Sequence, residues 1–410
     1  MRVAFADLMF SWPPHGGADV DLYRTAAGLQ DCGHQVCLFG AAYAPSWERG
    51  KFDPAQLPFE AVRLDFSSRA FNRKMLPARF RAAIDAWRPD VVVLADGFFL
   101  KPYVAAALSH YPLVGRYYAY EIACPRDMLL FKDGAPCPNN YLRTPNVCRC
   151  CALKRLGREI RRGRVLAWTH EYLAARAYLP GYHRRLIHSL HRMNAVIVYN
   201  PLMQSHLTGV NERVRILPGG GDVASFPGEP ARVKRMDERK VIVMAGRVED
   251  PMKGLKILLQ AGERLAATRS DFEVRVTHSN RQLATAWLKP VGWLEPCALR
   301  SLYQEADICV VSSIWEEPFG LTAVEAMAAG RPVCASRVGG LQHIVRDTET
   351  GFLFEREDAA GLAQCLARLL DDADLRRRMG MAGRRVAEEE YDWKQVIARY
   401  WPPLLEELVP

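Results

Sequence analysis

Strand-length apolar runs alternate with helix-period segments along almost the whole chain, and this alternation restricts the fold more than any other feature. Runs at 3–6, 35–39, 91–94, 113–117, 195–199 and 214–217 are each followed by a helical pattern. The same holds at 240–245, 272–276, 308–312, 332–335 and 351–354. A continuous apolar strand must be covered on both faces, and helices between parallel strands provide that cover, so the pattern predicts doubly wound α/β sheets. A chain of 410 residues exceeds what one core of this kind sustains, so two domains of about 200 residues each are expected. The segment 221–240 is rich in Gly, Pro and charge, lacks periodicity, and divides the chain into two similar halves. The expected domains are 1–222, 223–390, and a terminal helix over 391–410 that returns toward the first domain. No run reaches the ~18–20 apolar residues of a membrane span. Asp7 comes too early for an export signal, so secretion is not expected.

Charge is divided unequally between the halves. Residues 1–222 hold 29 Lys/Arg against 18 Asp/Glu, and the remainder 26 against 28. Ten of the cations fall in 154–192, beside only Glu159 and Glu171. Such a run is either a solvated helix face or a surface for an anionic partner: an acidic acceptor, anionic lipid or nucleic acid. The stretch belongs to an insertion at about 123–192, which opens with five of the eleven cysteines: Cys124, Cys137, Cys148, Cys150 and Cys151. Cys148 and Cys151 form a C-x2-C, and Cys124 and Cys137 complete a four-thiolate set suited to structural zinc. An iron–sulfur site and ordinary core thiols are the alternatives. Clustered thiols of this kind suit a reduced, cytoplasmic setting.

Three loops carry the candidate chemistry. Gly16 and Gly17, beside His15, open the first helix, where backbone N–H groups meet an anion without a Cβ in the way. Arg247 and Lys253 bracket the loop after the 240–245 run, at the strand end where ligands of open sheets sit. Glu317 lies just ahead of a short apolar helix and Glu325 interrupts it. Two carboxylates eight positions apart suit a pocket that accepts hydrogen bonds from several hydroxyls, since burying them without partners is costly.

The segment Glu316-Glu317-Pro318-Phe319-Gly320-Leu321 through Glu325-Ala326-Met327-Ala328-Ala329-Gly330-Arg331-Pro332-Val333 resembles the E-x7-E signature of retaining glycosyltransferases of family 4. The Pro13-Pro14-His15-Gly16-Gly17 loop, Pro218-Gly219-Gly220-Gly221-Asp222, Gly246-Arg247 with Lys253-Gly254, Gly292, and Tyr391-Asp392-Trp393 follow the family in order. The resemblance implies the GT-B fold, two facing Rossmann-like domains with parallel sheets, and a nucleotide-sugar donor linked to UDP or GDP. It further implies that Arg247 and Lys253 hold the diphosphate, and that Glu317, helped by amides around Phe319, Gly320 and Leu321, binds sugar hydroxyls. Glu325 would bind the ribose, and Gly16 and Gly17 would border the reacting sugar. Glu316 has no role in the signature. No catalytic metal is expected. The acceptor is unidentified; the basic half points to an anionic one and to peripheral contact with the inner face of an anionic membrane, and nucleic acid is not expected. Where relatives carry a His-Asp pair before a Cys-Pro-Arg segment, this chain has Tyr117-Tyr118-Ala119-Tyr120-Glu121 before Cys124-Pro125-Arg126; the histidine is absent, with Tyr120 or Glu121 as candidate substitutes. Thr277-His278-Ser279-Asn280 replaces a glycine-rich turn. The competing reading is a degenerate, zinc-bearing GT-B binding module without transferase activity.

Overall fold

The computed structural model describes residues 1–43, 49–126, 129–227 and 238–409. The chain divides into two compact units, Met1–Pro218 with Ile397–Pro410, and Gly219–Val396. Residues 228–237 of the expected linker lie outside the described residues.

The first unit holds β1 (Arg2–Asp7), β2 (Gln35–Tyr43), β3 (Glu60–Phe66), β4 (Val91–Leu94) and β5 (Leu113–Arg116). A small antiparallel hairpin, β6 (Phe131–Lys132) and β7 (Ala135–Pro136), precedes β8 (Ala195–Val198) and β9 (Val214–Ile216). Seven of these form one parallel sheet in the order β3-β2-β1-β4-β5-β8-β9. The order reverses at β1, so the carboxyl ends of β1 and β4 form the topological switch point of this sheet. The hairpin and the helices Pro145–Arg161, Ala167–Ala174 and Pro180–Arg192 are all inserted between β5 and β8, which pair directly. Trp401 of the last helix packs its ring 6.2 Å from Phe5 of β1.

The second unit holds β10 (Lys240–Met244), β11 (Phe272–Val276), β12 (Leu288–Pro290), β13 (Ile308–Val311), β14 (Val333–Ser336) and β15 (Gly351–Phe354), parallel in the order β12-β11-β10-β13-β14-β15. Its central strands are buried on both faces, as a doubly wound sheet requires. Val241, Val243, Cys309 and Val311 face the Leu321–Ala328 helix, while Ile242, Met244, Val274 and Ile308 face the helices Leu255–Ala266 and Ala359–Asp371. Two landmarks far apart in sequence meet here: Gly221 donates to the Tyr391 carbonyl at 2.7 Å, and a Cβ on Gly220 would lie 2.6 Å from the Trp393 ring. Only glycines let the 219–222 segment run so close to that aromatic pair.

Candidate active site

In the second unit the site is assembled from the loops that leave β10 and β13. After β10 the chain turns at Arg247, which is exposed, and a short turn, Pro251–Lys253, is capped by Asp250 Oδ1 accepting from the Met252 N–H at 3.0 Å. Gly254 follows at φ +75°, and a Cβ there would lie 1.8 Å from the Ser312 carbonyl oxygen. Ser312 Oγ in turn donates to the Gly254 carbonyl at 3.0 Å. This contact ties the two loops together and fixes where Lys253 points.

Lys253 Nζ lies 2.6 Å from Glu317 Oε1, and the same oxygen accepts from Ser313 Oγ at 2.5 Å and from Trp315 Nε1 at 3.0 Å. Burial, with only 6% of Glu317 exposed, works to raise its pKa. The Lys253 charge and the three donors outweigh burial and hold the carboxyl below its usual range. The backbone is fixed as well: Gly340 donates to the Glu317 carbonyl at 2.6 Å, and a Cβ on Gly339 would lie 2.2 Å from that oxygen. Glu316 points elsewhere. It pairs with Arg356 and accepts from the Gly339 N–H at 2.6 Å, so the residue with no part in the signature braces the loop that carries Glu317.

Glu325 sits on the next helix, Leu321–Ala328, in a different environment. Its partner is the Tyr303 hydroxyl, 3.0 Å from Oε2. Burial pushes Glu325 up to about 7, against the pull of that one hydrogen bond. Phe319 rests 5.9 Å from the Tyr391 ring, and Gly320 begins the helix at φ +132°. The structure therefore joins Lys253 to Glu317 directly, whereas sequence reasoning gave them separate ligands. Arg247 makes no ion pair among the described residues. Ser313, Trp315 and Tyr303 were missed; a hydroxyl and an indole within four residues of Glu317 were the available signal.

The first-unit loop departs from expectation. A Cβ on Gly16 or Gly17 would meet nothing within 4 Å, so there is room for a ligand. The amides, however, are already engaged. Asp19 accepts from the N–H groups of His15 at 2.8 Å, Gly16 at 3.2 Å and Ser11 at 3.0 Å. An intrinsic carboxylate thus occupies part of the place expected to receive an anion, and burial pushes it up to about 6.

Beside this loop lies a buried charge network of which only Glu121 was anticipated. Asp7 ends β1 and accepts from Met9, Phe10 and Asp96 amides at 2.6–2.8 Å. Burial and the neighbouring Asp96 raise its pKa. Lys101 donates to the Arg116 carbonyl at 2.7 Å and lies 3.9 Å from Glu121, which burial pushes up to about 7. Tyr120, the other proposed substitute for the absent histidine, is an interior residue at 1% exposure, its ring 5.8 Å from His206.

The expected zinc site is not supported. Cys124, Cys137, Cys148 and Cys151 line one cavity, but among the described residues no three His, Cys, Asp or Glu side chains gather as metal ligands. Cys148 has Thr144 Oγ1 at 3.8 Å and Cys137 has Asn139 Nδ2 at 3.8 Å, so these sulfurs have polar neighbours of other kinds. Burial raises the Cys148 pKa and disfavours the thiolate a metal would need.

Two Rossmann-like units, each built on a parallel sheet, define a two-domain architecture of the GT-B type. The chain belongs to the glycosyl transferase 4-like family, whose domain model matches residues 16–220, half of its length; the glycosyl transferases group 1 model matches 239–372. It is 32% identical over 192 residues to a phosphatidyl-myo-inositol mannosyltransferase of Mycolicibacterium smegmatis, covering 45% of this chain and 49% of that protein. It is 34% identical over 200 residues to a D-inositol 3-phosphate glycosyltransferase of Corynebacterium efficiens, covering 43% and 47%. The chain thus spans about half the length of the curated relatives it matches. Sucrose-phosphate synthase from Thermosynechococcus elongatus shares the fold over 100% of this chain and 99% of its own (TM-score 0.68, 20% identity). So does Anabaena HepE, solved in complex with UDP, over 99% and 100% (TM-score 0.67, 17% identity). Among the described residues no helix is long and apolar enough to cross a membrane.

Proposed function

We propose that the protein transfers a sugar from a UDP- or GDP-linked donor to an acceptor with retention, the donor lying on the second unit. The observation that carries this reading is the Lys253–Glu317 pair, buttressed by Ser313 and Trp315 at the carboxyl ends of β10 and β13. As the glycosidic bond breaks, negative charge accumulates on the departing diphosphate, and fixed cations beside it lower the barrier. Arg247 supplies an exposed guanidinium. Lys253 gives one of its three N–H donors to Glu317 and offers the others to the phosphates. Glu317, kept ionised, accepts from donor-sugar hydroxyls, with the Phe319–Leu321 turn alongside, and Glu325 accepts from the ribose. Gly16 and Gly17 leave room at the first-unit loop for the reacting sugar. HepE has been solved with UDP and with UDP-glucose, and the curated relatives bear names of glycosyltransferases, which is consistent with such a donor.

Peripheral membrane contact belongs to the same reading. Val147, Leu153, Ile160 and Val165 are exposed large apolar residues interleaved with the cations of 154–164. A basic surface with exposed apolar side chains suits the inner face of an anionic membrane. The experiment for the whole reading is a thermal-stability screen against UDP- and GDP-sugars, repeated with Lys253→Ala. One donor should stabilise the wild type and lose most of its effect in the variant. If no nucleotide-sugar stabilises the protein, the reading fails.

A further inference from the structure

The cavity of the insertion, about 1130 Å³, lies at or above the upper end of the volumes that hold drug-sized ligands, and it lies within the first unit. One wall is the Pro145–Arg161 helix. It buries Cys148, Ala152 and Leu156 at four-residue spacing and turns Val147, Cys151, Lys154, Arg158 and Arg161 toward the cavity at alternating four- and three-residue spacing. The opposite wall is Phe131 and Lys132 of β6. Among the described residues that line it, the one carboxylate, Asp133, is already 3.6 Å from Lys132. Lys154, Arg158 and Arg161 make no ion pair or hydrogen bond through their side chains among the described residues. Like charges four apart on a helix repel, which costs the free protein and is recovered when an anion binds among them. The helix dipole accounts for cations in the last turn, Arg158 and Arg161, but not for Lys154 one turn earlier.

We propose that this cavity binds the acceptor, and that the acceptor is an anionic amphiphile: a phosphate ester carrying an apolar group. The phosphate would sit on Lys154, Arg158 and Arg161, and the apolar group against Phe131 and Val147. This rests on the transferase reading, because it names the class of molecule that receives the sugar.

Two cysteines of the cavity, Cys150 and Cys151, allow a test independent of activity. The full chain is treated with N-ethylmaleimide, with and without monomeric dodecyl phosphate, and labelling at each cysteine is read by mass spectrometry. Dodecyl phosphate should slow labelling of Cys150 and Cys151 while leaving the exposed Cys32 and Cys297 unchanged. R158E/R161E should weaken the protecting affinity at least about tenfold, since each charge-assisted contact is worth that much or more. Equal protection by neutral dodecyl maltoside would overturn the anion assignment, and equal protection by inorganic phosphate the amphiphile assignment. Protection by phosphatidylglycerol vesicles but not by the monomer would mean that this face meets only a membrane. No protection by any probe overturns the proposal outright. Nucleotide-sugar stabilisation of R158E/R161E is measured in parallel. If it persists, the variant is folded and donor binding stands apart from the fate of the cavity; if the wild type also lacks it, the transferase reading has failed instead.

Discussion

Each unit of this molecule has a buried glutamate near a lysine at the end of a parallel strand, and the two are in opposite states. Lys253 lies 2.6 Å from Glu317, two further donors reach the same oxygen, and the carboxyl is held below its usual range. Lys101 lies 3.9 Å from Glu121 and spends its hydrogen bond on the Arg116 carbonyl, so burial prevails and Glu121 rises to about 7. The residue types are alike; distance and the count of donors decide the charge. The second unit is thus built to keep a carboxylate ionised before any ligand arrives. The first holds Asp7, Asp19 and Glu121, all raised by burial. Their signs also differ in linkage. The raised groups keep protons that the unfolded chain sheds, so their contribution to stability falls as pH rises from the ordinary carboxylate range toward 6 and 7. Glu317 adds stability above its unfolded pKa and loses it as pH falls through the lowered one.

The largest expected effect tests whether the first unit is held by its charges. Glu171 is fully buried, pairs with Arg49 at 2.5 Å, and accepts from the amides of Phe99 and Leu100 at 2.7 Å. Glu171→Ala leaves a buried guanidinium and two amides without their acceptor and should cost about 3–5 kcal/mol in urea unfolding. A loss below ~1 kcal/mol would show that water or another group compensates, and the contrast between the units would weaken.

In the second unit the corresponding change, Lys253→Ala, should act on turnover. Losing a charge-assisted contact worth ~1.5–3 kcal/mol should cost about 10- to 100-fold in kcat/KM if half or more is expressed in the transition state. Arg247→Ala should approach the same loss with no change in unfolding midpoint, because its side chain is exposed. Equal turnover in both variants and the wild type would dismantle the donor site.

Glu316→Gln comes next in size. Its pairing with Arg356 and the Gly339 amide makes it a brace, so the change should cost about 1–3 kcal/mol of stability, with turnover at low temperature little altered. A neutral melt with impaired turnover would instead move the functional carboxylate from Glu317 to its neighbour.

What was legible in the sequence follows the same division. The central strands of both sheets announced themselves as apolar runs because they are covered on both faces. In the two large sheets the strands that escaped, β3 and β12, are edge strands: Glu60, Arg63 and Asp65 punctuate the first, and the second is Leu288-Lys289-Pro290. Charge and proline at an edge protect it from pairing and erase its signal in the same stroke. The loops proposed to hold the donor stood out because Glu317, Glu325, Arg247 and Lys253 stand in a spaced motif. The network of Asp7, Asp96, Lys101 and Glu171 was not, since a single charge after an apolar run looks like the ordinary end of a strand. The four cysteines show the opposite failure: a spacing that suits zinc, without side chains gathered among the described residues to hold it.

The smallest effect concerns Glu325, which behaves like the raised carboxyls of the first unit although it lies in the second. Burial takes it from 4.5 to about 7, and Tyr303 is the one hydrogen-bond partner pulling it down. Between those values the folded state keeps a proton the unfolded chain has lost, so without nucleotide its contribution to stability falls as pH rises through that window. Ribose hydroxyls donate best to the ionised form, so nucleotide binding should lower its pKa and release a proton. Affinity for the nucleoside diphosphate should then rise about three- to tenfold between pH 6 and pH 8, within the tenfold per pH unit that one proton allows. Calorimetric titration in buffers of different ionisation heat reads both the affinity and the proton released. Glu325→Gln should bind more weakly at pH 8 and lose the pH dependence, whereas Glu317→Gln should keep it. If the slope survives in Glu325→Gln, the titrating group is elsewhere, and Glu325 is a structural partner of Tyr303 alone.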